Sequence, residues 1–272
     1  MTHWSVYTDG RPSHTISGDV RIAHAVHSPQ LNNSRDILLY LPPSYWASEK
    51  RYPVIYMHDG QNLFDAHTSY AGEWGVDETM QQLSSEGIEA IIVGLPNLGN
   101  SRISEYNPYP SPRFRHARGD KYVQFISDTL KPIIDRDYRT RPESRSTGIV
   151  GSSMGGLISL YAWLAHPNVF GIGGAMSPSL WIARNAVFDH VRQAPFNDGR
   201  LYIDIGTREL PRQFSQYANA FSDSVAALRD HLEERGYRNS SRLRYVKERG
   251  GEHNEASWAR RLPNVLRFLL KP

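Results

Sequence analysis

The residues best suited to chemistry in this chain lie in the pentapeptide Gly-Ser-Ser-Met-Gly at positions 151–155. A largely β-branched run at residues 147–150 precedes it, and apolar residues recur at helical spacing over residues 157–164. This context predicts a sharp turn from a strand to a helix, with a serine hydroxyl exposed at the turn and glycines relieving a crowded backbone. Ser153 is the predicted nucleophile rather than Ser152, because only Ser153 has a glycine two residues away on both sides.

A serine hydroxyl is a weak nucleophile at neutral pH, so it needs a base, and the base needs an acid to orient it. His253 is the predicted base, since it lies in a loop between the last predicted strand and the last predicted helix. Two other histidines follow Ser153. His166 lies at the far end of the helix that the serine begins, and His190 lies inside a predicted helix. The sequence therefore favours His253.

The acid is expected on the loop after the predicted strand at residues 201–205, because serine, acid and histidine follow one another in this order in folds of this type. Glu209 fits that position. Asp204 is the alternative, although it lies within the strand and has to point toward the site. Asp198 precedes the strand and therefore lies at the wrong end of the sheet. On these grounds Glu209 is favoured and Asp204 stays open.

Acyl transfer through a serine also needs two backbone N–H donors for the oxyanion that forms. One predicted donor is Met154, directly after the nucleophile, and the other is Gln61, in the turn at residues 58–62. His58 and Asp59 in the same turn look like a catalytic pair. Because they precede the serine in the chain, we expect them to brace the turn instead.

The composition excludes several other kinds of site. The chain has 272 residues, with 31 basic and 28 acidic side chains and a net charge of +3. This near balance gives no strong case for nucleic acid or a membrane as a partner. The absence of cysteine excludes disulfides, thiolate catalysis and cysteine-based metal sites. No histidine–carboxylate cluster has persuasive metal-ligand spacing, so neither a metal nor another cofactor is expected.

The chain carries few signs of targeting or of division into parts. The first residues form no apolar run typical of a signal sequence, and no stretch is long and apolar enough to span a bilayer. Together with the lack of cysteine, this favours a cytoplasmic location. Because the sequence shows neither an internal repeat nor a low-complexity linker, we expect residues 1–272 to form a single domain.

The elements that position the candidate residues alternate along most of the chain. Short strands are predicted at residues 20–24 and 36–41, and strands and helices alternate from residue 52 onward. This order predicts an α/β-hydrolase fold, with a mostly parallel central sheet, antiparallel N-terminal edge strands and helices on both faces.

Two prolines and one short connection refine that expectation. Pro132 is expected to kink the helix at residues 122–134, and the helix at residues 258–270 is expected to restart around Pro263. Only residues 177–180 separate the predicted strand at residues 170–176 from the next helix, at residues 181–191. We therefore expect no large lid and an open cleft that accepts a bulky acyl or alcohol group.

Aromatic side chains on the loops near the predicted site suit sugar rings or aryl groups. These loops carry Tyr70, Trp74, Tyr106, Tyr109 and Trp181. We predict that Trp74, Tyr106 and Trp181 contact the substrate, together with Arg102. The loop at residues 113–118 is basic and is suited to an anionic substrate, although a solvated basic loop is the simpler interpretation.

With these motifs in this order, the chain resembles the putative-esterase family of α/β-hydrolases. That family includes esterase D-like enzymes, carbohydrate esterases such as acetyl xylan and feruloyl esterases, siderophore trilactone hydrolases and mycolyltransferases. The matching segments cover most of the chain from residue 54 onward and lie at residues 56–65, 72–78, 102–106, 130–135, 151–156, 176–181, 206–209 and 251–253. The resemblance implies a Ser153–Glu209–His253 triad, and so favours Glu209 over Asp204.

The resemblance also implies a function, namely a cofactor-free serine esterase that hydrolyses carboxylic esters through an acyl-enzyme. Acetyl or aryl esters of carbohydrates are the expected substrates, so the partner is a small-molecule or carbohydrate ester. Three alternatives stay open: a siderophore trilactone hydrolase, which the basic loop favours, an acyltransferase, and a non-catalytic binding module with the same fold. The intact serine, acid and histidine argue against the binding module.

Overall fold

The computed structural model describes residues 2–7, 14–183, 186–210, 218–238 and 241–271 of the chain. Within these ranges nine strands form one sheet in the order β1-β2-β3-β5-β4-β6-β7-β8-β9. The strands are β1 (Ser5–Val6), β2 (Asp19–Ser28), β3 (Asn33–Leu41), β4 (Val54–His58), β5 (Ile91–Leu95), β6 (Thr147–Ser152), β7 (Ile172–Met176), β8 (Arg200–Arg208) and β9 (Leu243–Glu252).

The strand directions confirm the predicted sheet. Strands β1, β2, β3 and β5 pair antiparallel at the N-terminal edge, and β5, β4, β6, β7, β8 and β9 pair parallel. Every residue of β4, β5, β6 and β7 is buried. These central strands read as continuous apolar runs because helices cover both of their faces.

Helices lie on both faces of the sheet, as predicted. On one face α1 (Val76–Ser84) packs beside α9 (Glu255–Leu269) over a core that includes Met80 and Leu266. The other face carries the larger core and the remaining long helices. The other helices are α2 (Arg102–Glu105), α3 (Gly119–Gln124), α4 (Lys131–Asp137), α5 (Met154–Ala165), α6 (Leu180–Ala183), α7 (Ala186–Gln193) and α8 (Ala218–Glu234).

The two prolines behave differently from each other. Before Pro132 the helix changes to a π-helical segment at Phe125–Leu130, and α4 begins directly after it. Since proline has no N–H to donate, the hydrogen-bond ladder is irregular there, close to the expected kink. The predicted restart at Pro263 is wrong, because α9 continues through it. Leu262 and Val265 are buried on either side, and their packing holds the helix across one missing bond.

The remaining helix boundaries differ in detail from the predictions. The single helix expected at residues 181–191 is two helices, α6 and α7, and residues 184–185 between them lie outside the described ranges. The connection from β7 to α6 is as short as expected, with three residues between Met176 and Leu180. None of the helices within the described ranges combines the length and the apolar character needed to cross a membrane.

A buried ion pair fixes α2, which borders the candidate site. Arg35 on β3 donates from Nη2 to Oε2 of Glu105 at 2.7 Å, and both side chains are fully buried. Asn33 donates from Nδ2 to the other carboxylate oxygen at 2.8 Å. The Arg35 guanidinium also lies over the rings of Tyr122 and Phe125. This pair therefore ties α2 to the antiparallel edge and to α3.

Breaking this pair should destabilise the fold strongly. Glu105→Ala leaves the Arg35 charge buried without its partner, and we expect the free energy of unfolding to fall by about 3–5 kcal/mol. Urea denaturation followed by circular dichroism measures the change. Asp189→Ala, which breaks the exposed pair with Arg192, is the matched control and should cost far less. Equal losses in the two variants would contradict the role given to the buried pair.

Candidate active site

The candidate nucleophile lies on a strained turn between β6 and α5. Ser153 has φ 57° and ψ −119°, a backbone conformation that favours glycine. Its N–H donates to the carbonyl of Met176 at 2.9 Å, and its own carbonyl accepts from the N–H groups of Leu157 and Ser179 at 3.1 and 3.0 Å. Hydrogen bonds on both sides of the residue therefore hold the strained conformation.

The glycines around Ser153 are required by close packing. A Cβ atom on Gly151 would lie 2.8 Å from Cδ2 of His58 and 2.9 Å from the carbonyl group of Gly155. On Gly156 it would lie 2.9 Å from the carbonyl oxygen of Met176. No side chain fits in these positions without moving backbone, which is why the turn reads as a glycine-serine motif.

Three loops bring the predicted serine, histidine and acid together. Because β6, β8 and β9 are parallel, the loops that follow them lie at one edge of the sheet. Ser153 Oγ lies 2.8 Å from Nε2 of His253, and Nδ1 of His253 lies 2.6 Å from Oε2 of Glu209. The histidine ring also packs edge-on against Trp258, with 5.0 Å between the ring centroids. This is the geometry of a nucleophile, a base and an orienting acid.

The Glu209 carboxylate is buried and firmly held. Its Oε1 accepts hydrogen bonds from the hydroxyl of Ser177, at 2.7 Å, and from the N–H of Gly206. Burial alone would raise the pKa of Glu209, but the hydrogen bonds from His253 and Ser177 outweigh it and lower the pKa below its usual range. Glu209 is therefore ionised at neutral pH, as an acid that stabilises an imidazolium must be.

Asp204, the alternative acid, has other partners. It is fully buried in β8, and its Oδ1 accepts from the N–H of Ser177 at 2.9 Å and lies 3.3 Å from Nη1 of Arg261. Burial raises the pKa of Asp204 to about 7, against the opposing effect of Arg261. Glu209, not Asp204, is the carboxylate in contact with His253.

The two predicted oxyanion donors lie on two different turns, one at the start of α5 and one after β4. Met154 is the first residue of α5, where a backbone N–H has no partner within the helix. Gln61 lies in the short 3₁₀ helix Gly60–Asn62 and lines the cleft with Ser153. Its side-chain Oε1 accepts from the N–H of Asn97 at 3.1 Å, which fixes this turn against the loop after β5.

His58 and Asp59 have structural contacts beside the site. His58 is buried beneath the turn at Ser153, with Nδ1 2.9 Å from the hydroxyl of Tyr122. Burial lowers the pKa of His58 to about 3, so the ring is neutral at physiological pH. Asp59 binds Arg102 through both carboxylate oxygens, at 2.8 and 2.7 Å. These contacts brace the turn that carries Gln61.

Around Ser153 and His253 lies a cleft of about 450 Å³. Two of the predicted substrate contacts, Trp74 and Arg102, line it, and so do Gln61, Tyr70 and Trp258. Tyr70 is 92% exposed, so its ring is free at the rim. The cleft therefore presents aromatic surface and one guanidinium group close to the serine.

The other two predicted substrate contacts lie elsewhere. Tyr106 is fully buried beneath Arg102, and its hydroxyl accepts from the N–H of Asp59 at 3.1 Å. It supports Arg102 and does not face the cleft. Trp181 on α6 is 52% exposed, but it packs edge-on against Phe114 outside the lining of this cleft. The position of a residue along a loop did not indicate whether its side chain faces the cleft or packs away from it.

Several residues in contact with the candidate triad were not singled out from the sequence. The hydroxyl of Ser179 lies 3.1 Å from Ser153 Oγ, and the hydroxyl of Ser177 contacts Glu209. Trp258 and Arg261 on α9 both donate to Ser177. The only sequence signal for the serines was their place in the matching segment at residues 176–181, which carried no role for them.

One group of acids within the described ranges has oxygen atoms close enough to share a metal ion, namely Glu73, Asp77 and Glu78. Asp77 is buried, and its Oδ2 accepts from the N–H of Ser17 at 2.6 Å. Burial raises the pKa of Asp77 to about 8. Its carboxyl is thus largely protonated at neutral pH, which reduces the repulsion among the three acids.

Comparisons with known proteins identify the family of this chain. Residues 28–269 match the model of the family described as Putative esterase. YbbA of Bacillus subtilis (strain 168) is 28% identical over 242 residues, which cover 87% of this chain and 92% of that protein. The ferri-bacillibactin esterase BesA of the same organism is 28% identical over 172 residues, 55% of each chain.

A solved structure agrees in fold. The BES protein from Bacillus cereus superposes with a TM-score of 0.74 over 98% of this chain and 100% of that chain, at 20% sequence identity. The family match covers most of the chain, from the end of β2 to the last residue of α9. The chain therefore belongs to the Putative esterase family, and it is a carboxylic ester hydrolase with an α/β-hydrolase fold.

Proposed function

We propose that the protein is a serine esterase that works through a covalent acyl-enzyme, with Ser153 as nucleophile, His253 as base and Glu209 as orienting acid. The observation that carries this proposal is the unbroken hydrogen-bonded series from Ser153 Oγ through both ring nitrogens of His253 to Glu209, at 2.8 and 2.6 Å. The strained, partly exposed position of the serine at the start of α5 supports it.

In the first half of the reaction Ser153 Oγ attacks the ester carbonyl carbon while Nε2 of His253 takes the hydroxyl proton. The carbonyl oxygen becomes an oxyanion, which the N–H groups of Met154 and Gln61 stabilise. As the tetrahedral intermediate collapses, the bond to the alcohol oxygen breaks and His253 gives the proton to the leaving alcohol. The acyl group then remains on Ser153.

In the second half water replaces the alcohol. His253 takes a proton from the water as its oxygen attacks the acyl carbon, and then returns the proton to Ser153 Oγ as the carboxylic acid leaves. Glu209 accepts the Nδ1–H of His253, so Nε2 is free to receive the serine proton. The negative charge of Glu209 also stabilises the imidazolium that forms.

For the substrate, we propose acetyl or aryl esters that carry a ring, such as a sugar or an aromatic group, next to the ester. Tyr70 and Trp74 line the cleft beside the serine, and rings of this kind stack on aromatic side chains. The connection from β7 to α6 has only three residues, so no lid is inserted at this point of the chain. A bulky alcohol group therefore has room to extend out of the cleft.

Removing the nucleophile tests the mechanism. Ser153→Ala should lower kcat for p-nitrophenyl acetate hydrolysis on the order of a million-fold, because it removes the hydroxyl that carries the acyl group. A fluorophosphonate should label Ser153 in the wild type, as read by peptide mass spectrometry. Ser152→Ala, which removes the neighbouring serine, should keep the label on Ser153. Normal hydrolysis by Ser153→Ala would exclude the proposal.

A second candidate substrate is a siderophore lactone. BesA, one of the relatives, is a ferri-bacillibactin esterase. In this chain a second hollow of about 240 Å³ is lined by Arg113, Phe114, Arg115 and His116. Arg113 and Arg115 offer cationic groups for an anionic catecholate. Arg118 instead donates to the carbonyl of Leu31 at 2.5 Å, so it stabilises the loop.

Neutralising the two arginines separates the substrate classes. If the substrate is an anionic catecholate, Arg113→Gln with Arg115→Gln should raise KM for a catecholate lactone on the order of 10-fold, because two charge-assisted contacts are lost. KM for p-nitrophenyl acetate should stay within about two-fold, since the variant leaves the cleft at Ser153 intact. Steady-state kinetics on both substrates measures this. Equal changes for the two esters would count against the siderophore assignment.

A further inference from the structure

We propose that Ser177 is a positioning residue for catalysis, which holds the Glu209 carboxylate in place behind His253. This inference rests on the proposed function, because it concerns the acid of the same triad. Ser177 directly follows β7, whereas the three triad residues directly follow β6, β8 and β9. Its side chain is fully buried, so it reaches the reaction only through Glu209.

The hydrogen bonds of the Ser177 hydroxyl fix the direction of its single proton. Trp258 donates to Ser177 Oγ from Nε1 at 3.2 Å, and Arg261 donates to it from Nη2 at 3.1 Å. Both groups are donors only, so they use the acceptor capacity of the hydroxyl. The serine proton is therefore left for Oε1 of Glu209, which lies 2.7 Å away.

The backbone of Ser177 is held as tightly as its side chain. Its φ of 42° is strained for a residue other than glycine. The N–H donates to the main-chain carbonyl of Asp204 at 3.1 Å and to Oδ1 of the same residue at 2.9 Å. Asp204 in turn lies 3.3 Å from Nη1 of Arg261. The aspartate in β8 and the arginine in α9 thus fix Ser177 from two sides.

This arrangement divides the two carboxylate oxygens of Glu209 between two tasks. Oε1 is occupied by Ser177 and by the N–H of Gly206, and Oε2 is left facing Nδ1 of His253 at 2.6 Å. A carboxylate held at one oxygen cannot rotate away from the histidine. The hydroxyl, polarised by a cationic donor, also draws charge from the carboxylate and so limits how strongly Glu209 stabilises an imidazolium in the resting enzyme.

Two substitutions separate the hydroxyl from the backbone. Ser177→Ala and Ser177→Gly both remove the hydroxyl, but only glycine relieves the strained φ. If the hydroxyl positions Glu209, both variants should react with a fluorophosphonate on the order of 10-fold more slowly at neutral pH, because the acid that orients His253 is then held less firmly. The acid limb of the rate against pH should also move to higher pH, because loss of the hydroxyl leaves more negative charge on the Glu209 carboxylate that faces the base.

The matched control uses two adjacent arginines on α9, of which Arg261 contacts Ser177 and Arg260 does not. Arg261→Met removes a donor to Ser177 and should slow labelling, whereas Arg260→Met changes an exposed side chain paired with Glu248 and should leave the labelling rate unchanged. Thermal unfolding of each variant confirms that the folded protein is compared. Stopped-flow labelling across a pH series supplies the rates.

The outcomes distinguish this inference from the proposed function. A wild type that does not label at Ser153 overturns the proposed function itself. A wild type that labels, with both Ser177 variants labelling at the same rate and with the same pH profile, overturns the role of Ser177 alone. A loss in Ser177→Ala that Ser177→Gly does not share also overturns it, because the effect then belongs to the backbone.

Discussion

The site depends on a strained turn that the surrounding sheet keeps in place. Ser153 adopts a backbone conformation suited to glycine, and hydrogen bonds to the loop after β7 and to α5 hold it there. The parallel strands then bring the base and the acid that the serine needs. The loops after β8 and β9 end at the same edge of the sheet, so Glu209 and His253 arrive within hydrogen-bond distance of each other and of the serine. A sheet with any of these strands reversed would carry its loop to the opposite edge.

Burial favours the neutral form of the ionisable groups around this turn, and their hydrogen-bond partners decide which of them stay charged. Glu209 and Asp204 are both buried acids, which alone raises the pKa of each. Hydrogen bonds from His253 and Ser177 keep Glu209 ionised, whereas the pKa of Asp204 is raised to about 7. His58 is driven to its neutral form by the same desolvation. The site therefore holds a negative charge on Glu209, while the buried His58 beside it is neutral.

Much of the fold was predictable because local patterns determine it. The alternation of strands and helices gave the parallel sheet, and the glycines around Ser153 marked the turn. Contacts between distant segments were not predictable in the same way. Nothing in the sequence indicated that Tyr106 lies under Arg102, that Trp181 packs on Phe114, or that Ser177 meets residues of α9. The expected restart of the helix at Pro263 was likewise wrong, because the packing that carries α9 through this residue is a tertiary effect.

If an acyl group passes through Ser153, the acyl-enzyme can be trapped during turnover. Wild-type protein is mixed with p-nitrophenyl acetate, quenched with acid during turnover and digested for peptide mass spectrometry. We expect an acetyl group on Ser153, formed together with a burst of about one p-nitrophenol per chain. Continued release of p-nitrophenol with Ser153 unmodified throughout, or an acetyl group on a different residue, would contradict it.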